Sequence, residues 1–211
     1  MRIAIAALVA ITANAAVLDR IAVTVGKQVI ALSDVVRDLR VSAFLDQKPV
    51  DLSSEQKRKA ADRLVDQLLI LQEASVSRVS VAETEDAQKM LQQIKSSLFT
   101  SEAEYRGALV RYGISEEDLI NHLLAGLRAM RFTDLRFRPE VQLSEDDLRD
   151  YYNHLAEVWR NKDPAKVPTF EQARDQVEKL MTDERTAQAL DRWLGTQRTD
   201  LQILYRERAF Q

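Results

Sequence analysis

The 211-residue sequence contains no cysteine, five glycines and four prolines. Without cysteine, the chain can form no disulfide bond and can use no thiolate as a nucleophile or metal ligand. Because glycine and proline are the residues that interrupt helices, their scarcity favours long helices joined by short loops. The net charge of −3 provides no basic excess for binding phosphate groups, so we expect no nucleic-acid partner.

Residues and motifs that carry enzyme chemistry are also scarce. The two histidines are His122 and His154, and neither has a second histidine or matched carboxylates at the helical spacing of a metal site. We interpret both as histidines at a helix surface or at its boundary with the core. The glycine motifs of phosphate-binding loops, dinucleotide-binding folds and serine hydrolases are absent from the sequence. We therefore expect a protein that is not an enzyme and that uses no cofactor and no metal.

Residues 1–15 have the features of a cleavable signal peptide. Arg2 follows the amino terminus, residues 3–11 form an apolar run, and Ala13 and Ala15 place small residues at the third-last and last positions. The run is shorter than the ~20 apolar residues of a membrane span. A buried first strand or helix is the alternative. We expect cleavage before Ala16, export from the cytoplasm and no membrane span.

Residues 18–35, with the sequence LDRIAVTVGKQVIALSDV, predict a β-hairpin that leads into a helix. Ile21, Val23 and Val25 recur at every second position, as in a strand with one buried face. Because an isolated hairpin is only marginally stable in water, it needs a further strand or a packed helix. Residues 201–205 also alternate and are the candidate third strand, which would bring the two ends of the chain together in one domain.

The turn and the helix start of this hairpin have their own residue preferences. Gly26 and Lys27 predict the turn, because glycine adopts a positive φ without strain. Residues 29–32 then predict the returning strand. Ser33 offers a hydroxyl that would cap a helix beginning at Asp34.

The remaining chain predicts a series of helices, which makes the expected fold class mostly α with a small antiparallel sheet of terminal strands. Five of the predicted helices begin with a hydroxyl residue that is followed, three positions later, by a side-chain acceptor. These pairs are Ser53 with Gln56, Ser101 with Glu104, Ser115 with Asp118, Ser144 with Asp147, and Thr169 with Gln172. Residues 68–71, LLIL, are apolar on every side of their helix and predict the centre of the core.

Two groups of side chains have both a structural and a functional interpretation. Four arginines near one helix end (Arg128, Arg131, Arg136 and Arg138) either complement the helix dipole and nearby acids or form a patch for an acidic partner. Four aromatic residues lie at helix ends or off the main apolar stripes. They either pack in the core or form an exposed apolar surface that binds extended or unfolded segments. These candidate client-binding residues are Phe99, Phe132, Phe137 and Trp159.

An ordered set of segments resembles the N-terminal domain of SurA-type periplasmic chaperones and the helix and strand that end such chains. The resemblance covers nearly the whole sequence after the leader. The segments are LDRIAVTVGKQVIALSDV at 18–35, RLVDQLLILQEA at 63–74, Val79-Ser80-Val81, YRGALVRYGI at 105–114, residues 115–119, LSEDDLRDYYN at 143–153, VPTFEQARDQVEKL at 167–180 and LQILY at 201–205. It implies a multi-helix body on which the last helix and strand pack back.

The chain departs from this family where parvulin prolyl-isomerase domains are inserted. Only residues 161–168 fill that position, no histidine follows His154, and no GGDLGW-like motif is present. The expected organisation is therefore a signal peptide (1–15), a chaperone domain (16–160), a linker (161–168) and a C-terminal helix and strand (169–211). The resemblance implies an ATP-independent periplasmic chaperone that binds unfolded outer-membrane or secreted proteins, without prolyl-isomerase activity.

Two alternatives remain open at this point. The chain could be a non-enzymatic assembly or docking module that binds one folded partner, or that forms a homodimer by exchanging a terminal element. It could also retain prolyl-isomerase activity, against which the missing insert argues. Suppression of the aggregation of several unrelated unfolded proteins would distinguish the chaperone from a docking module.

Overall fold

The computed structural model describes residues 19–77 and 82–211, which contain seven α-helices and one three-stranded antiparallel sheet. The expected fold class, mostly α with a small sheet, is confirmed. The predicted signal peptide and the segment Val79-Ser80-Val81 lie outside the described residues.

The sheet joins the two ends of the described chain. Its strands are β1 (Ile21–Val25), β2 (Gln28–Ala31) and β3 (Ile203–Tyr205), in the spatial order β2-β1-β3 with both pairs antiparallel. Gly26 has a φ of 56° and forms a two-residue loop with Lys27 between β1 and β2. The predicted turn and the predicted third strand are both confirmed.

The predicted alternation along β1 is wrong at its first residue. The register shifts between Ile21 and Val23, which is the signature of a β-bulge. Ala22 is fully buried as a result, whereas 46% of Ile21 is exposed. Ile21 therefore does not share the buried face of Val23 and Val25, because the extra residue resets the two-residue period.

The seven helices follow in chain order. They are α1 (Leu32–Leu45), α2 (Ser54–Val76), α3 (Thr84–Leu98), α4 (Glu102–Tyr112), α5 (Glu116–Phe137), α6 (Glu145–Lys162) and α7 (Phe170–Asp200). All five predicted hydroxyl caps are confirmed: each side-chain oxygen accepts the backbone N–H three residues later. α5 ends two residues before Pro139.

The predicted cap of α1 is wrong. The helix begins at Leu32 with Ala31 as its N-cap, and the Ala31 N–H donates to the Asp34 carboxylate over 3.1 Å. The Ser33 hydroxyl instead bonds the Asp19 carboxylate just before β1. Asp19, which is distant from Ser33 in sequence, thus binds the hydroxyl that the local residue pattern predicts to be the helix cap.

Buried apolar side chains form three clusters. The sheet cluster lies between the sheet, the first half of α1, α2, the end of α5, the second half of α7 and the C-terminal residues. The α3–α4 cluster lies between the end of α1, α3, α4 and the start of α5. The arm cluster lies between α6 and the first half of α7. Leu69 and Ile70 are buried in the sheet cluster, which agrees with the predicted centre of the core.

α6 and the first half of α7 form an antiparallel helical arm, joined by a short connection with a 3-10 helix at Pro164–Lys166. The Tyr152 hydroxyl donates to the Pro168 carbonyl over 2.7 Å and fixes this connection to α6. α6 continues through Lys162, so the first two residues of the predicted linker (161–168) are helical.

The C-terminal residues are fixed to α2. The Tyr205 hydroxyl donates to Asp62 Oδ1 over 2.6 Å, and the Arg198 guanidinium donates to Asp66 Oδ1 over 2.7 Å. Burial and the hydrogen bond to Asp62 raise the pKa of Tyr205 above its ordinary value. Phe210, the second-last residue, is buried in the sheet cluster. The end of the chain therefore belongs to the same core as the hairpin.

Candidate functional site

The four predicted client-binding aromatics do not form one surface. Phe132 and Phe137 are buried in the sheet cluster, with ring centroids 6.3 and 5.9 Å from that of Trp193. The expectation that they stand exposed is wrong, because the second half of α7 packs over them. The resemblance predicts that the last helix packs back on the body, but the sequence does not indicate that α7 covers the end of α5.

Phe99 and Trp159 are half-buried and lie in different parts of the molecule. The ring of Phe99 is 5.5 Å from those of Phe44 and Tyr105 in the α3–α4 cluster. The ring of Trp159 is 6.3 Å from that of Tyr152 in the arm cluster. Client contact by either residue stays a prediction, and the two belong to different clusters.

The arginines near the end of α5 are all engaged within the described part of the chain, which favours their structural interpretation. Arg128 donates to the Ala82 carbonyl (2.9 Å), Arg131 pairs with Asp86 (2.9 Å), Arg136 pairs with Glu140, and Arg138 pairs with Asp134 (2.9 Å) and Asp183 (2.8 Å). Of the two histidines in the sequence, His154 is exposed on α6.

An open cleft of about 310 Å³ lies between β2, α1, α2 and α5. This volume is at the lower end of the range for ligand-binding clefts. Its apolar lining residues are Val29, Ile30, Val41, Leu64, Leu68, Leu71 and Ala125. Its polar lining residues are Asp34, Arg37, Asp38, Gln67, Asp118, Asn121 and His122.

The apolar wall of the cleft follows from the LLIL stretch of α2. An α-helix has 3.6 residues per turn, so the side chains of four consecutive apolar residues cannot all point to one side. Leu69 and Ile70 face the sheet cluster, while the half-buried Leu68 and Leu71 line the cleft. The sequence predicts this helix to be surrounded by partners, and the cleft occupies one of those sides.

A charged group lies at the floor of the cleft around Asp38, whose side chain is only 9% exposed. Arg63 Nη2 lies 2.8 Å from Asp38 Oδ2, and His122 Nδ1 lies 3.4 Å from Asp38 Oδ1. Burial is the largest single influence and disfavours ionisation of Asp38. The interactions with His122 and Arg63 together outweigh burial and lower the pKa of Asp38 below its ordinary value.

The rim of the cleft carries a second ion-pair group. Arg37 Nη1 lies 2.9 Å from Asp34 Oδ1, and Arg37 Nε lies 2.9 Å from Asp118 Oδ1. Asp118 is also the capping carboxylate of α5 and accepts the Ser115 N–H over 2.8 Å. Although burial opposes it, this bond, the Ser115 hydroxyl and the charge of Arg37 lower the pKa of Asp118.

This arrangement combines an aliphatic wall, which can hold apolar groups, with charged side chains that are paired with one another. Across residues 19–77 and 82–211, no group of three or more metal-ligating side chains is placed to hold a metal ion. None of the helices in these ranges has the length and apolar run needed to cross a membrane.

The sequence marks the LLIL stretch and His122 but does not place them at a site. The cleft lining comes from elements that are distant in the chain, and no local spacing marks Asp38 as the partner of His122. No known protein-family model matches this chain, and no protein with a curated description is detectably similar to it. The SurA-type resemblance therefore stays a prediction from the ordered segments.

Proposed function

We propose that this protein is an ATP-independent, non-enzymatic chaperone of the periplasm that binds unfolded outer-membrane or secreted proteins. The observation that carries the proposal is the open apolar cleft between β2, α1, α2 and α5. The ordered resemblance to SurA-type chaperones supports it and suggests the periplasmic location and the client class. Prolyl-isomerase activity is not proposed, because the corresponding insert is missing from the sequence.

The physical chemistry of the cleft favours weak and broad binding. Its wall is aliphatic, and aliphatic side chains attract any apolar group without requiring a fixed geometry. Burying ~200 Å² of apolar surface contributes about 5 kcal/mol, from which the cost of ordering a flexible client is subtracted. The net affinity is thus low at one site and reversible, as a chaperone that must release its clients requires.

A docking module is the second candidate, and the position of β3 favours it. This three-residue strand pairs with β1 at one edge of the sheet and is joined directly to the end of α7. A short terminal strand in this position can be exchanged between two copies of a chain. A homodimer formed by such exchange is therefore the form that we propose for this alternative.

The test compares a cleft variant with a matched surface variant. Leu71 lines the cleft, whereas Val110 on α4 is 82% exposed and lies outside it. We expect wild-type protein to suppress aggregation of several unrelated unfolded outer-membrane proteins at near-stoichiometric amounts. Because Leu71→Gln removes part of the burial energy of one leucine, about fivefold more protein should be needed. Val110→Gln should act like wild type.

Two results would overturn the proposal. One is the absence of protection for all clients together with recovery of a single folded partner. The other is equal protection by wild type and Leu71→Gln, with circular dichroism confirming that both are folded. The second result would exclude the cleft as the binding site.

A further inference from the structure

One edge of the sheet borders the cleft. Among residues 19–77 and 82–211, β2 pairs with β1 alone, and Val29 and Ile30 of β2 line the cleft. Val29 is 55% exposed. An edge strand offers unpaired backbone groups to any extended segment that comes alongside.

The direction of the backbone groups along β1 follows from its bonds to the C-terminal strand. The Gly26 N–H donates to the Gln202 carbonyl over 3.0 Å, and the Arg206 N–H donates to the Ala22 carbonyl over 2.8 Å. In an antiparallel ladder, the residues of one strand bond alternately to the two sides. The even-numbered residues of β1 therefore direct their backbone groups toward β3.

The odd-numbered residues of β1 consequently bond toward β2. Val23 and Val25 lie opposite Ile30 and Gln28 in the hairpin register. Val29 lies between these two bonded positions, so its N–H and C=O point away from β1 and toward the free edge. The structure thus presents one donor and one acceptor of β2 beside an apolar wall.

The charges of the cleft select among extended segments. Three carboxylates line it (Asp34, Asp38 and Asp118), against the single guanidinium of Arg37. Arg63, which lies outside the lining, pairs with Asp38, so these three carboxylates and two guanidiniums sum to −1, which favours a lysine or arginine in the bound segment and disfavours glutamate and aspartate.

From these observations we propose that an unfolded client binds as an extended strand that adds to the free edge of β2. The client backbone pairs with the N–H and C=O of Val29, its alternate apolar side chains enter the cleft against Leu68 and Leu71, and a basic residue faces the lining carboxylates. This proposal rests on the proposed chaperone function and names the class of client segment: an alternating apolar strand with a basic flank.

Strand addition accounts for breadth and specificity together. Backbone pairing is the same for every client sequence, whereas the pockets beside the edge strand favour some of the client's alternate side chains over others. At about 3.3 Å per residue, the four residues of β2 can align with about four client residues, so each contact is short and reversible. The strands of outer-membrane barrels alternate in this way, with a two-residue period.

The first experiment changes only the ligand. Two labelled peptides of alternating leucine and threonine with lysine flanks are titrated against the wild-type protein and followed by fluorescence anisotropy. In the second peptide, one central backbone nitrogen is methylated, which removes a donor and blocks close approach of the two strands. We expect binding to weaken about tenfold on methylation, the equivalent of about 1.4 kcal/mol. A third peptide with glutamate flanks should bind about threefold more weakly than the first.

The second experiment changes only the edge. Proline is tolerated on an edge strand where the N–H faces away from the sheet, as the N–H of Val29 does. Val29→Pro should therefore keep its circular dichroism spectrum and lose about tenfold in affinity for the first peptide. Val29→Thr retains the backbone donor and should bind within about twofold of wild type.

The outcomes separate the two proposals. If Leu71→Gln weakens binding but the methylated and unmethylated peptides bind equally, strand addition is refuted and the apolar cleft stands. If no peptide and no unfolded protein binds, the chaperone function itself is refuted. A concentration-dependent dimer that Val29→Pro abolishes would instead assign the edge to a second copy of this chain. The methylated peptide decides the question even if Val29→Pro fails to fold.

Discussion

Replacing the second-last residue of this chain should cost as much stability as replacing a central core residue. Phe210 is 2% exposed and packs in the sheet cluster with the hairpin and α2. Its N–H donates a hydrogen bond to the Glu207 carbonyl over 3.2 Å, and its carbonyl accepts a hydrogen bond from the Lys57 ammonium over 3.4 Å. These bonds hold the backbone of Phe210 in place. If the ring is removed, a neighbouring side chain therefore cannot easily move in to fill its space.

The magnitude follows from burial. Truncation of a fully buried phenylalanine to alanine costs about 3–5 kcal/mol, from lost transfer energy and from the cavity that remains. A domain of ordinary stability has about 5–15 kcal/mol in total. Phe210→Ala should therefore remove a large fraction of the free energy of unfolding and lower the Tm by about 6–20 °C for a chain of this length.

The assay is urea unfolding followed by circular dichroism, with a thermal scan of the same samples. Leu204→Ala is the control, because Leu204 lies in the same terminal segment but is 41% exposed. It should cost less than about 1 kcal/mol. If Phe210→Ala also loses less than about 1 kcal/mol, the C-terminal residues do not close the core, and deletion of residues 201–211 should then leave the Tm unchanged as well.

Two further predictions concern stability at other positions. Gly113 ends α4 with a φ of 63°, and an added Cβ would lie 3.0 Å from the Arg40 guanidinium, so Gly113→Ala should lower the free energy of unfolding by about 1–2 kcal/mol. Gly107→Ala in the middle of α4 meets nothing within 4 Å and should raise it by about 0.5–1 kcal/mol; equal effects would contradict the backbone argument. The pKa of Asp38 is lowered in the folded protein, so its contribution is present above its ordinary value of 3.8 and is lost as the pH falls below it. Urea unfolding of wild type and Asp38→Asn should accordingly show a stability gap at pH 6 that narrows by pH 3, and a constant gap would contradict the interaction with His122 and Arg63.

Features set by neighbouring residues were predictable from the sequence. Five helix starts and the turn at Gly26 each depend on residues within four positions, so local chemistry decides them. The third strand was also predictable, although it lies far from the hairpin in sequence. The alternation of apolar and polar residues at 201–205 can be recognised within the strand itself. Because an isolated hairpin is only marginally stable, it needs such a strand as a partner.

Features set by distant contacts were not predictable. Ser33 has the chemistry of a cap, but Asp19 takes its hydroxyl. Phe132 and Phe137 lie at a helix end, which in an isolated helix is exposed, yet α7 returns over them and buries both. The direction of a returning helix depends on packing across the whole domain, and a helical period carries no information about it.

The cleft could be predicted only in part. The sequence marks residues 68–71 of α2 as surrounded by partners, but it does not indicate that one side is left open. The ion pair between Asp38 and Arg63 joins α1 to α2, and the contact with His122 adds α5, so three helices must already be in place before this group exists. A site built from tertiary contacts leaves no spacing in the chain by which to recognise it.

The proposed client site and the proposed strand exchange use opposite edges of the sheet. β3 occupies the side of β1 that faces away from β2, and none of the described residues that line the cleft belongs to β3. If two copies exchange this strand, each β1 still receives an identical partner, and the free edge of β2 and the leucines of α2 stay as they are. A swapped dimer should therefore bind peptide with the same affinity per chain as the monomer. A difference in affinity per chain, measured on the two forms separated by size, would mean that the exchange reaches the cleft.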